Sequence, residues 1–282
     1  MQDKKKQKPQ SIKHKIREER KKQQYVVLAL TLTVVIIMVS SVFIYSLLNQ
    51  SSTNSTSATS AIVDHLSLTY SNQTFIKAAT NLLKQAGYSV DYFPGDKVTV
   101  EFYRNLPAHG YKVIILRVHS SATNPDGSEG PVTFFTAERL NPSKYVAEQH
   151  AGQLRGVAYT LEDIEKGITY FGITPLFVTQ CMKGHFNNAA IIMMGCEGLR
   201  NTVMADAFLQ KGAKLYIGWT GPVAASHTDA ATLTLLENML IQKQTIKQAI
   251  INAMSIWGRD PEPKSELLCY PFEAREQIIE NT

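Results

Sequence analysis

Two short apolar runs constrain what this chain can become. Val113-Ile114-Ile115-Leu116-Arg117-Val118 ends at His119-Ser120, and Ala190-Ile191-Ile192-Met193-Met194 ends at Gly195-Cys196-Glu197-Gly198. Such runs, closed by turn residues, read as strands buried on both faces, the signature of a parallel sheet. In an open sheet of that kind, ligands sit in the crevice beyond the carboxyl ends of the strands. A histidine just past one strand and a cysteine just past another can meet there as base and nucleophile.

The segments around these runs supply the layers that would cover the sheet. Phe75, Ala78, Ala79, Leu82 and Leu83 recur at helical spacing, and Gly87 ends that pattern. Tyr88 to Phe93 alternates like a strand, and Val98, Phe102 and Leu106 share one helical face. After the first apolar run, residues 123–130 (TNPDGSEG) are turn chemistry, and Val132 to Thr136 reads as a short strand, one arm of a hairpin over the cleft. Residues 141–170 predict a loop with one helix, and Ile173 to Val178 suits strand or helix. Beyond Cys196 come a helix over 202–210, a strand over 215–219 closed by Gly221-Pro222, and amphipathic helices over 229–241 and 245–257. Alternating strands and helices predict an α/β domain whose mostly parallel sheet is flanked by helices on both faces.

The N-terminal quarter is of a different kind. Tyr25 to Leu48 is 24 residues without a charge. As a helix at about 1.5 Å per residue it covers about 36 Å, against a bilayer core of about 30 Å. Net charge is +5, but residues 1–24 hold ten Lys/Arg and three acids, so this flank carries +7 and the remainder −2. Basic charge abutting an apolar span reads as a topology signal, with the flank cytoplasmic, and not as a nucleic-acid footprint. The apolar run is longer than a signal peptide's and lacks a clear cleavage site, which predicts a retained signal anchor at the cell membrane. Residues 49–61 (NQSSTNSTSATSA) are small and polar throughout and read as a Ser/Thr-rich stalk. Asn49, Asn54 and Asn72 each open an N-x-S/T triplet. The expected organisation is thus a basic tail (1–24), a transmembrane anchor (25–48), a stalk (49–61) and an extracytoplasmic domain (62–282), the last long enough at about 220 residues to bury a full core.

Cys181, Cys196 and Cys269 are the only cysteines, with no C-x-x-C or H-x-x-x-H spacing, so neither a metal nor another cofactor is expected. A cysteine nucleophile needs thiolate character, which a neighbouring histidine or a helix N-terminus promotes. Cys196 has both in prospect: His119 across the crevice and a helix starting near Thr202. Gly195 and Gly198 let the backbone turn sharply beside it. The competing reading is a small buried apolar residue at a strand end. Backbone N–H groups of Ser120 and Cys196 are candidate oxyanion donors. His109 and His185 precede their strands and fall at the opposite end of the sheet. His227 reads as a residue of a helix N-terminus, and His65 and His150 have no partner in the sequence.

The order of these features resembles the caspase-like cysteine peptidases: caspases, legumain, gingipain and the CHAT-domain proteins. The resemblance rests on YKVIILRVHSS with His119, AAIIMMGCEG with Cys196, and ADAFLQKGAKLYIGW, and covers roughly residues 74–257. It implies a catalytic His119–Cys196 dyad, a polypeptide substrate, and a specificity pocket at Gly218, Trp219 and Thr220. Glu197 and Asp229 are the candidates for an acid in that pocket; Glu197 equally suits a solvated turn, and Asp229 the first turn of a helix. Relatives usually carry Gly after the histidine, where this chain has Ser120, whose side chain is expected to crowd the oxyanion site. An intact dyad points to a peptidase; the Ser120 departure leaves a non-catalytic binding or sensing module as the alternative.

Overall fold

The computed structural model describes residues 8–50, 58–124, 127–259 and 265–280. The chain divides into two compact units, Met1–Thr56 and Ser57–Thr282. The first holds one long helix, α1 (Lys8–Gln50). Within its stretch Arg17–Ser41 an 18-residue window reaches a mean hydropathy of 2.1, so this helix is long and apolar enough to cross a membrane. The expected stalk lies mostly at residues 51–57, outside the described residues, as does Asn54.

Among the described residues the second unit has ten strands: β1 (Thr59–Asp64), β2 (Ser89–Pro94), β3 (Val113–Arg117), β4 (Ser120–Thr123), β5 (Glu129–Arg139), β6 (Leu154–Val157), β7 (Tyr170–Ile173), β8 (Ala190–Met193), β9 (Leu215–Trp219) and β10 (Leu267–Tyr270). Its helices are α2 (Gln73–Gln85), α3 (Val100–Asn105), α4 (Val146–His150), α5 (Leu161–Glu165), α6 (Pro175–Gln180), α7 (Val203–Gln210), α8 (Ala225–Leu236), which a π-turn Glu237–Ile241 extends, and α9 (Ile246–Trp257).

Six strands form the main sheet in the order β10-β9-β8-β3-β1-β2. All neighbours are parallel except the edge strand β10, which runs antiparallel to β9. Alternation along the strands feeds two cores. Ile114, Leu116, Ile191 and Met193 point to one face, where Phe134, Phe171 and Phe208 pack. Val113, Ile115, Ala190 and Ile192 point to the other, covered by Phe75, Leu83, Leu235 and Ala249 of α2, α8 and α9. Each fully buried aliphatic side chain of this kind contributes about 1.5–3 kcal/mol. A smaller antiparallel sheet, β4-β5-β7-β6, grows from the end of β3.

The domain therefore has the expected α/β architecture, and β3, β8 and β9 lie where the apolar runs predict them. Several expectations need correction. The stalk boundary at 61 is too late, because Thr59, Ser60 and Ala61 already belong to β1, an interior strand. Their small size suits a strand squeezed between two neighbours, and Ser60 is fully buried. The expected short strand at 132–136 is the middle of the 11-residue β5. Residues 141–170 hold two short helices and β6 instead of one helix, and the ambiguous stretch after Ile173 is α6, started by Pro175 in the first turn, where its missing N–H costs nothing.

Candidate functional site

The strand order reverses between β1 and β3: from β1 the chain runs outward to β2, then crosses to β3, β8 and β9. A crevice opens at the carboxyl ends of the strands at such a switch point. Here a cavity of about 550 Å³ is lined by the segments after four strands: Leu66 and Tyr70–Asn72 after β1, Arg117–His119 after β3, Met194–Cys196 after β8, and Val223–Ser226 with Thr228 and Asp229 after β9. His119 and Cys196 thus follow the ends of neighbouring parallel strands and line one cavity.

Gly195 makes this approach possible. A Cβ there would lie 2.2 Å from the Val118 carbonyl oxygen and 2.6 Å from Ser120 Oγ. Any side chain would push the cysteine loop away from the histidine segment. The half-buried Cys196 thiol lies 3.4 Å from the Val223 N–H and 3.6 Å from the Val223 carbonyl.

His119 sits in a cage of four rings: His65, Tyr70, Phe135 and Tyr159, the last stacked on it at 5.8 Å between centroids. Its Nε2 is 2.8 Å from Thr69 Oγ1. Burial, and next the charge of Arg117, bring the His119 imidazole down to about 4. The base therefore rests neutral. Behind it His65 is fully buried, and neither ring nitrogen has a partner in good hydrogen-bond geometry. Burial first, then the proximity of His119, lowers His65 to about 3, with the Thr136 backbone acting in the opposite sense.

The floor of the cavity is ionic. Arg117, 1% exposed, donates from Nε and Nη2 to Asp229 at 2.7 and 2.9 Å, from Nη1 to Asp64 at 2.7 Å, and from Nη2 to the Tyr70 carbonyl at 2.8 Å. Burial works against the charge, but the hydrogen bonds to Asp229 and Asp64 outweigh it and hold Arg117 above its ordinary value. Asn72 donates to Asp229 at 2.9 Å and accepts from the Phe75 N–H, capping α2. Its side chain is occupied inside the site.

Of the residues singled out in the sequence, His119, Cys196 and Asp229 line the cavity, with Ser120 adjoining. Asp229 lies one turn inside α8, not at its first residue, and its carboxylate is engaged by Arg117. Glu197 is 8% exposed and turned toward β4, so it is neither a cavity residue nor a solvated turn residue. Gly218, Trp219 and Thr220 do not line the cavity. Gly218 and Trp219 are paired with β10, and Thr220 bonds to Glu266. Trp219 acts from beneath: its Nε1 donates to Thr228 Oγ1, which donates to the Met194 carbonyl. The Ser120 hydroxyl does not crowd the cleft; it donates to the Cys196 carbonyl. His227 lies in the first turn of α8, as its sequence suggests. Sequence reasoning missed Asp64, His65, Thr69, Asn72 and Arg117. The signal for the first two was a third run of the same type, Ser60-Ala61-Ile62-Val63, ending in Asp64-His65. Among the described residues no cluster of three or more His, Cys, Asp or Glu is arranged to hold a metal.

No protein-family model matches this chain, and no curated protein matches it. Among solved structures it is similar to the crystal structure of the Arg specific cysteine proteinase gingipain R (RGPB). The TM-score is 0.44 at 13% identity, over 79% of this chain and 45% of that one. The complex of Porphyromonas gingivalis RgpB pro- and mature domains is similar at a TM-score of 0.41 and 12% identity, over 79% of this chain and 46% of that one. The chain spans less than half the length of either.

Proposed function

We propose that this chain is a membrane-anchored, caspase-like cysteine peptidase whose His119–Cys196 dyad cleaves peptide bonds outside the cytoplasm. The observation that carries the reading is the convergence of His119 and Cys196 on one cavity from the ends of adjacent strands. With Nε2 protonated and donating to Thr69, the other ring nitrogen is left as proton acceptor. Cys196 Sγ attacks the scissile carbonyl carbon while its proton passes to His119. The Ser120 and Cys196 N–H groups hold the oxyanion. Collapse expels the amine, which takes the proton from His119, and leaves a thioester. Water then attacks that thioester, again with His119 as base, releasing the acid and restoring the thiol. The substrate side chain before the scissile bond enters the cavity above Arg117 and Asp229. The apolar stretch of α1 supports anchoring, and the basic flank supports a cytoplasmic N-terminus.

The test uses the full chain in detergent with a library of peptidyl-aminomethylcoumarins varied at every position. Turnover should vanish in Cys196→Ala and His119→Ala. Because activity needs neutral His119, the acidic limb should fall near pH 4 and not near the ordinary 6.5. Turnover surviving Cys196→Ala refutes the reading.

A further inference from the structure

The oxyanion site proposed above draws on N–H groups of two different segments, β4 and the Cys196 loop, which must keep a set separation. Side-chain contacts tie these segments together. The Phe135 N–H donates to the His119 carbonyl at 3.0 Å, so residues 119 and 135 form a hydrogen-bonded pair. Ser120, opposite Phe134, is the next pair along. Its N–H therefore points away from β5, off the open edge of the sheet, and so does that of Ala122 two residues later. The Ala122 N–H ends on Glu197 Oε2 at 2.7 Å, and Ser121 Oγ is 3.4 Å from the same oxygen. A register shift between Ser121 and Thr123 frees this part of β4 from its partner.

Glu197 is itself held in an unusual backbone conformation, with φ at 60°. That region is uncommon for a side-chain-bearing residue and persists where surroundings enforce it. Here the Glu197 N–H donates to the Gly221 carbonyl at 2.8 Å, and its carbonyl accepts from the Arg200 N–H at 2.9 Å. The left-handed turn directs the carboxylate back over β4, away from the cavity. Together with the Ser120 hydroxyl on the Cys196 carbonyl, two clamps join β4 to the cysteine loop.

Resting on the peptidase reading, we propose that Glu197 is a positioning residue. By taking the Ala122 N–H it locks β4 against the Cys196 loop and sets the Ser120 N–H where the oxyanion forms.

Two reactions of Cys196 in the full chain separate this role from a general structural one. Acylation by 4-nitrophenyl acetate forms an S–C bond through an oxyanion and expels 4-nitrophenolate. Alkylation by iodoacetamide displaces iodide and forms no oxyanion. Loss of one oxyanion donor typically costs about 10²–10³-fold. Glu197→Ala should lower acylation about 100-fold with alkylation within about twofold of wild type, and Glu197→Gln, whose amide oxygen still accepts from Ala122, should retain most acylation. Should Glu197→Ala fail to fold, judged by tryptophan fluorescence, the pair Gln and Asp decides. Gln should keep acylation, and Asp, one methylene shorter, should lose at least tenfold. Unchanged acylation in Glu197→Ala, a parallel fall of both reactions, or Asp outperforming Gln overturns the proposal. Wild-type protein that turns over no peptidyl-coumarin defeats the peptidase reading itself, whereas an active wild type matched by Glu197→Ala defeats only the positioning role.

Discussion

Acid should destabilise the folded domain through His65, and the size of the effect follows from its burial. His65 is lowered from 6.5 to about 3, first by desolvation and then by His119. A histidine with a depressed value in the folded state takes up protons more readily when unfolded. Its contribution is therefore present above about pH 6.5 and is lost as pH falls toward 3. Integrating the two titrations gives a loss of about 2 kcal/mol at pH 5 and about 3 kcal/mol at pH 4, relative to pH 7. Against a typical total of about 5–15 kcal/mol this is a large share. Carboxylates titrate over the same range, so the informative quantity is a difference between two proteins. His65→Phe keeps an aromatic ring beside His119 and Tyr159 and removes the titration. Urea unfolding followed by tryptophan fluorescence, at pH 7, 5 and 4, gives stability for both. At about 2 kcal/mol per molar urea, the wild-type midpoint should drop about 1 M more than the variant's between pH 7 and 5. Whatever offset the substitution introduces at pH 7 cancels in this comparison. Parallel pH dependence in the two proteins would refute the argument, because it would mean that His65 is not held neutral by burial.

Two further outcomes test the framework of the site. Arg117→Met leaves Asp64 and Asp229 buried without their cation and should cost about 3–5 kcal/mol in unfolding experiments; adding Asp64→Asn and Asp229→Asn should recover most of it, and a nearly silent single substitution would contradict the buried ion cluster. Gly195→Ala places a methyl 2.2 Å from the Val118 carbonyl oxygen, which should cost about 1–3 kcal/mol and lower acylation by 4-nitrophenyl acetate at least tenfold. Wild-type behaviour there would mean that the two strand ends are not in close contact.

Strands β3, β8 and β9 were legible because continuous apolar runs with sharp ends have few other interpretations. From them followed the sheet, its helical cover, and two residues that line the cavity at its end. β1 was hidden by its own packing. An interior strand with close neighbours takes Ser60 and Ala61, and next to NQSSTNSTSA small residues look like more linker. Missing β1 meant missing the loop that supplies Thr69 to His119, the Tyr70 carbonyl to Arg117 and Asn72 to Asp229. In the sequence Arg117 belongs to an apolar run, and its burial agrees with that. Its partners, 53 and 112 residues away, leave no local trace. Glu197 stands out in the sequence by its place beside the cysteine, but its direction depends on one backbone angle, which composition and spacing do not encode.

The second sheet explains why the histidine of this site is a weak base. In a simple βα unit the residue after a strand opens into solvent at the crevice. Here the chain leaves β3 and enters the antiparallel pair β4–β5 almost at once, so His119 stands at the junction of two sheets. Phe135 of β5 and Tyr159, which stacks on Tyr170 of β7, then close over a ring that would otherwise be wet. Arg117, two residues earlier, is committed to Asp64 and Asp229 on the floor, yet its charge still opposes protonation of the ring. Both effects act against an imidazolium in the resting protein. In the mechanism proposed above, proton transfer from Cys196 then accompanies attack on the carbonyl, and the groups that stabilise the developing oxyanion carry more of the barrier than a preformed ion pair would. This places unusual weight on the spacing of the Ser120 and Cys196 N–H groups. Three local features tie the histidine segment and β4 to the cysteine loop: a glycine at 195, a hydroxyl at 120 and a carboxylate at 197.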